Sequence, residues 1–159
     1  MTDKKTSLRN KLNQNRIELE SLLTSLSPEQ WQTPVFEEGD TWTVLTVASH
    51  LTENERGMSI HIHKTRQGKE TVPEGFNVHE WNAGVKGRIG APAPAELLQM
   101  MAQTRARTLE GLESIKDEEW GLTGRHPTQG LITIEQYFET IANHDLEHLA
   151  QIKRALGVG

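Results

Sequence analysis

Apolar residues recur at helical spacing through four long stretches of this chain, and that period constrains the fold more than any other feature. In residues 3–26, Leu8, Leu12, Leu19, Leu22, Leu23 and Leu26 share one helix stripe. A second stretch, from about Thr43 to Gln67, places Val44, Val47, Ala48, Leu51, Met58 and Ile62 on its inner side. A third, roughly 94–115, carries Leu97, Leu98, Met101, Leu109, Leu112 and Ile115. The fourth runs to about Leu156, with Ile134, Tyr137, Phe138, Ile141, Leu149 and Ile152 on one face. End signals agree: Ser27 and Gln30 form a capping box with Pro28 at the first helical position, Thr133 and Gln136 form another, and Gly157 stops the last helix. "TPVFEEGDT" and "GLTGRHPTQGL" read as loops. Four long amphipathic helices with little β signal predict an all-α four-helix bundle.

Residues 68–93 are rich in Gly and Pro and predict one short helix around "VHEWNAGVKG". This long irregular connection between the second and third long helices leaves the topology open. There is also an internal echo. "SLSPEQW" and "SIKDEEW" each close a helix, and each leads through a Gly-containing loop into a Thr-capped helix bearing histidine. Duplication of a helix pair and coincidence of common caps both account for it.

With 159 residues the chain suggests a single domain, 1–159, able to bury a core unaided. Its charge is mixed, 17 Lys and Arg against 22 Asp and Glu, and no basic run interleaved with aromatics points to nucleic acid. No apolar run is long enough for a membrane span and the N-terminus lacks the apolar core of a secretion signal, so a cytoplasmic globular protein is expected. Cysteine is absent, which excludes disulfides and thiolate ligands. Any metal site must use His, Asp or Glu.

The last helix supplies the candidate. His144 and His148, in "ETIANHDLEHLAQIKR", are four apart, with His148 inside the apolar stripe and His144 at its edge. Two readings stand: half of a metal site, or core histidines satisfied by hydrogen bonds. A third ligand would come from another helix, and the second offers His50 on the flank of its apolar side, with Glu53 one turn on. His61 and His63, two apart, fall on nearly opposite sides of that helix. His79 and His126 lie in irregular segments and read as surface residues, His126 with a route to a pocket mouth. "HDLEH" also fits the H-x-x-E-H peptidase signature, but Glu147 points away from the stripe, and Asp145 and Glu147 read as bystanders.

"WTVLTVASHL", "FNVHEWNAGV" and "HPTQGLITIEQYFETIANHDLEHLAQIKRALG", in this order over nearly the whole chain, resemble the DinB/YfiT-like superfamily and its maleylpyruvate-isomerase-like branch. The resemblance implies a four-helix bundle holding a divalent ion, zinc or nickel and sometimes manganese or iron, on His50, His144 and His148. It also implies homodimers, and activities that use low-molecular-weight thiols such as mycothiol or bacillithiol.

Three imidazoles leave an open coordination position, the arrangement of a catalytic ion. The expected function is a thiol-dependent S-transferase or isomerase acting on a small electrophile. Because the chain has no cysteine, the thiol would be a cosubstrate. A metal-dependent hydrolase and a non-catalytic metal or small-molecule binding protein are the alternatives. Glu53 is the candidate catalytic base, and Arg56, Trp81, Asn82 and His126 are candidate substrate-binding residues. Trp81 also reads as a core anchor and Arg56 as an exposed salt-bridging residue.

Overall fold

The computed structural model describes residues 3–84, 87–88 and 90–158. The four expected helices are present as α1 (Lys4–Thr24), α3 (Val44–Arg66), α5 (Pro94–Ser114) and α6 (Ile134–Leu156). Asp3 caps α1, and Thr43 and Thr133 cap α3 and α6 through their hydroxyls. The Ser27 box starts a single turn, α2 (Pro28–Trp31), and Gly157 ends α6 in the left-handed region at φ 71°. Within the long connection Asn77 caps a short α4 (Val78–Ala83). Residues 85–86, in the expected tail of that helix, lie outside the described ones.

Both segments read as loops are β-hairpins. β1 (Pro34–Glu37) pairs with β2 (Thr41–Thr43), and β3 (Thr123–His126) pairs with β4 (Gly130–Thr133), each pair antiparallel. The strands are three or four residues long, too short for alternation to register, and Gly39 and Gly130 take positive φ where the chain reverses. The echo is therefore a structural repeat. Each half runs helix, short turn ending in a buried Trp (Trp31 or Trp120), hairpin, Thr-capped helix. Each hairpin closes with an equivalent bond: Val44 N–H donates to Thr33 O and Ile134 N–H to Leu122 O, both at 3.0 Å.

The four long helices form the bundle. α1 packs on α6 and α5, and α3 packs on the same two, so the hairpin-linked pairs α1/α3 and α5/α6 lie across the diagonals. One half of the core gathers Leu19, Leu23, Trp31, Trp42, Val47 and Leu97; the other gathers Leu12, Met58, Leu112, Trp120, Phe138 and Ile141.

Among the described residues, four buried charges lie within the bundle. Arg16 bonds Glu55 (2.9 Å) and Asp145 (3.0 and 3.2 Å), and Arg105 bonds the same two carboxylates at 2.8–3.0 Å. Thr108 adds a hydroxyl bond to Glu55 at 2.6 Å. Asp145 is thus no bystander: it is fully buried and occupies the stripe between the two α6 histidines. The repeat extends to these groups. Arg16 precedes Trp31 by the interval that separates Arg105 from Trp120, and Glu55 follows Thr43 as Asp145 follows Thr133.

The second hairpin lies tight against α3. A methyl group on Gly124 would stand 2.2 Å from Thr65 Oγ1 and 2.9 Å from the Tyr137 hydroxyl. Gly124→Ala is expected to cost about 1–3 kcal/mol through overpacking, read as a lower urea midpoint. An unchanged midpoint would show that the hairpin moves freely.

Candidate metal centre and adjoining cavity

α3 and α6 bring His50, His144 and His148 together. The His50 and His148 ring centroids are 6.0 Å apart at 88°, and those of His144 and His148 are 6.0 Å apart at 57°. The α6 histidines do not enter the core as the stripe suggested; all three rings are half-buried along the groove between the helices. Trp42, from β2, meets the His50 ring edge-on at 5.0 Å and is anchored by its indole N–H donating to Glu38 O.

Burial first, and then the nearby His148, hold the His50 imidazole down to about 4 despite Glu53 and Glu38. Burial and His148 likewise lower His144. Both rings are therefore neutral at pH 7 and carry a free lone pair. His50 Nδ1 is buried without a hydrogen-bond partner among the described residues. His148 Nδ1 is 2.8 Å from Gln151 Oε1, an oxygen that can only accept, so with the amide in this orientation Nδ1 is the donor and Nε2 is the nitrogen left to face an ion. Asn54 lies 3.3 Å from His144 Nδ1 through its amide, whose oxygen and nitrogen exchange by a half-turn.

Two imidazoles sharing one ion place their centroids roughly 5 Å apart, given Zn–N distances of about 2.0–2.1 Å. The observed 6.0 Å separations are wider by about 1 Å. Among the described residues, no three His, Asp or Glu side chains stand close enough to hold an ion as they are. The donors themselves (nitrogen-only, with His50 and His144 neutral and His50 Nδ1 left without a partner among the described residues) suit a borderline-soft divalent ion.

A cavity of about 320 Å³ opens beside His50 and His144. Met58, Val72, Pro73, Phe76, Val78 and Trp81 make its apolar wall, and His61 and His126 stand at another part of it. Glu53 lines it as well, but Arg88 grips both its carboxylate oxygens at 2.9 and 3.0 Å. The same guanidinium lies 3.7 Å over the Trp81 ring, pinning the long connection to α3. Trp81 is 44 % exposed, so it is no core anchor; it covers the cavity. Asn82 also lines the cavity and donates to the Glu38 carboxylate. Arg56 is exposed and borders a separate depression with Arg88, Pro92 and Met100.

A further placement differs from the sequence reading. His126 is 6 % exposed rather than a surface residue, because β3 turns it inward against Tyr137. His61 is half-buried and lines the cavity, whereas His63 and His79 are exposed, bonded to Gln67 and Glu38. The signal for His61 was its spacing: His50, Asn54, Gly57 and His61 recur at steps of three and four along one face of α3. His126 had no such signal, since only the hairpin orients it.

A family model of the DinB superfamily matches residues 11–152. No curated protein matches the chain. Among solved structures the chain is similar to YfiT from Bacillus subtilis, described as a probable metal-dependent hydrolase with an unusual four-helix bundle topology. The two superpose with TM-score 0.73 at 19 % identity, over 98 % of this chain and 89 % of that one. It is also similar to the mycothiol-dependent maleylpyruvate isomerase, with TM-score 0.72 and 15 % identity, over 91 % of this chain and 60 % of that chain. At these identities the likeness establishes the fold.

Proposed function

The chain belongs to the DinB superfamily, and from that premise we propose a divalent-metal-dependent enzyme that joins a small thiol cosubstrate to an apolar electrophile. His50, His144 and His148 would hold the ion; the resemblance implies zinc or nickel, both of which imidazole ligands suit. The observation that carries this reading is a cluster of three imidazoles, His50 and His144 held neutral and His50 with an orphaned buried nitrogen, opening onto a largely apolar cavity. When bound, such an ion would lower the pKa of a thiol or of water next to it.

The protein's own groups divide the remaining work. Gln151 and Asn54 orient the α6 rings through their outer nitrogens. Met58, Phe76 and Trp81 supply an apolar surface for the electrophile and keep water from it. Glu53, tied by Arg88, acts here as a strut that fixes the cavity cover rather than as a free base. That favours a thiol over water as nucleophile, because a thiol at pKa about 8.5 needs less help in losing its proton. The hydrolase reading draws support from the near full-length superposition on YfiT.

Incubating metal-loaded protein with a panel of small thiols and 1-chloro-2,4-dinitrobenzene is expected to give thiol consumption above background, abolished by chelator. Ester cleavage without thiol loss would select the hydrolase, and neither activity would leave a binding protein.

A further inference from the structure

His126 carries an unused hydrogen-bond donor at the cavity wall. Its Nδ1 is approached by the backbone N–H groups of Thr128 and Gln129, both at 3.1 Å. A backbone N–H can only donate, so Nδ1 must accept, and the single proton of the neutral ring sits on Nε2. Nε2 is buried and has no partner. A buried N–H without an acceptor is costly, and the described residues around it supply none. The tautomer also removes His126 from the ligand set, because its outward nitrogen has no lone pair to give. His61 reinforces this part of the cavity: its Nδ1 is likewise buried without a partner, and both rings flank Tyr137, with centroids 6.2 and 6.3 Å from it.

We propose that His126, through Nε2–H, anchors a neutral carbonyl oxygen of the molecule bound in this cavity, as in a ketone, ester or amide. The inference deepens the proposed function and rests on the cavity being the ligand site, but not on the ion. A neutral acceptor fits better than a carboxylate because the described lining residues include no Lys or Arg, and Arg88 beside them is already engaged by Glu53. Burial, with His144 and His61 adding to it, holds the His126 ring down to about 4, so it donates as a neutral group at pH 7. The apolar wall of Met58, Val72, Phe76 and Trp81 would receive the body of such a molecule.

The test uses metal-free protein, so failure of ion binding by the other three histidines leaves its outcomes unchanged. Long-range proton–nitrogen NMR of the wild type is expected to show His126 protonated at Nε2 and bare at Nδ1. Acetophenone is then expected to shift the His126 Nε2–H resonance, and to bind about tenfold more tightly than ethylbenzene, which lacks the acceptor. Benzoate is expected to bind no better than ethylbenzene. His126→Gln, which keeps a side-chain N–H, should retain most of the preference for acetophenone, and His126→Leu should lose it. A ring protonated at Nδ1 would overturn the proposal, as would equal binding of acetophenone and ethylbenzene to the wild type. Should the leucine variant fail to fold, the wild-type spectra and the paired probes still decide.

Discussion

Replacing Arg105 with methionine is expected to remove about 3–5 kcal/mol of folding stability. The buried guanidinium donates to both Glu55 oxygens at 3.0 Å, to Asp145 at 2.8 Å and to the Leu12 carbonyl at 2.7 Å. Without it two buried carboxylates share Arg16 alone, and the Leu12 carbonyl loses this bond. Measured as a shift of the urea midpoint, the loss would be a large part of the ~5–15 kcal/mol that a domain holds. Replacing Arg16, Glu55, Arg105 and Asp145 together by apolar residues of similar volume should recover most of it, because then no charge is left stranded. A loss below about 1 kcal/mol in Arg105→Met would contradict this account.

The same cluster sets a pH dependence. Burial pushes the Glu55 carboxyl up, but hydrogen bonds and charge from Arg105, with help from Arg16 and Thr108, hold it below its ordinary 4.5. Below that value the folded state binds fewer protons at this site than the unfolded state. The contribution is therefore complete above 4.5 and lost as pH falls through the lower, folded value. The stability difference between wild type and Glu55→Gln should be constant at neutral pH and shrink below about 4.5.

The second large effect is expected at His144. His144→Ala should weaken ion affinity more than about 100-fold, since loss of an outer-sphere partner alone costs 10–100-fold, and thiol consumption should fall with it. Folding of the metal-free protein should change little, because the ring is half-buried on the flank of α6 and its Nδ1 meets the partly exposed amide of Asn54. His63→Ala, which removes an exposed ring bonded to Gln67, should leave both affinity and activity intact. Equal losses in the two variants would point to a general disturbance of α3 and α6 rather than to a ligand.

The four long helices were legible because their apolar period and Thr or Ser caps act locally, within one turn of the backbone. The hairpins were not: Phe36, Trp42 and Ile132 have too few strand neighbours to make an alternating pattern, and their pairing is set by the bundle beneath. The buried charges were equally hidden, since Asp145 in an apolar stripe resembles a surface residue until Arg16 and Arg105 arrive from other helices. The candidate site shows what the internal repeat does not share. At the positions equivalent to His50, His144 and His148 the other half carries Thr140, Asn54 and Met58. The repeat thus builds the scaffold and its charged centre, and the histidines, one from the first half and two from the second, do not follow it.

Calorimetric titration of chelator-treated protein with zinc tests the central claim most directly. One ion per chain is predicted for the wild type, with saturable binding lost in His148→Ala. Absence of saturable binding, or unchanged stoichiometry and affinity in that variant, would contradict it.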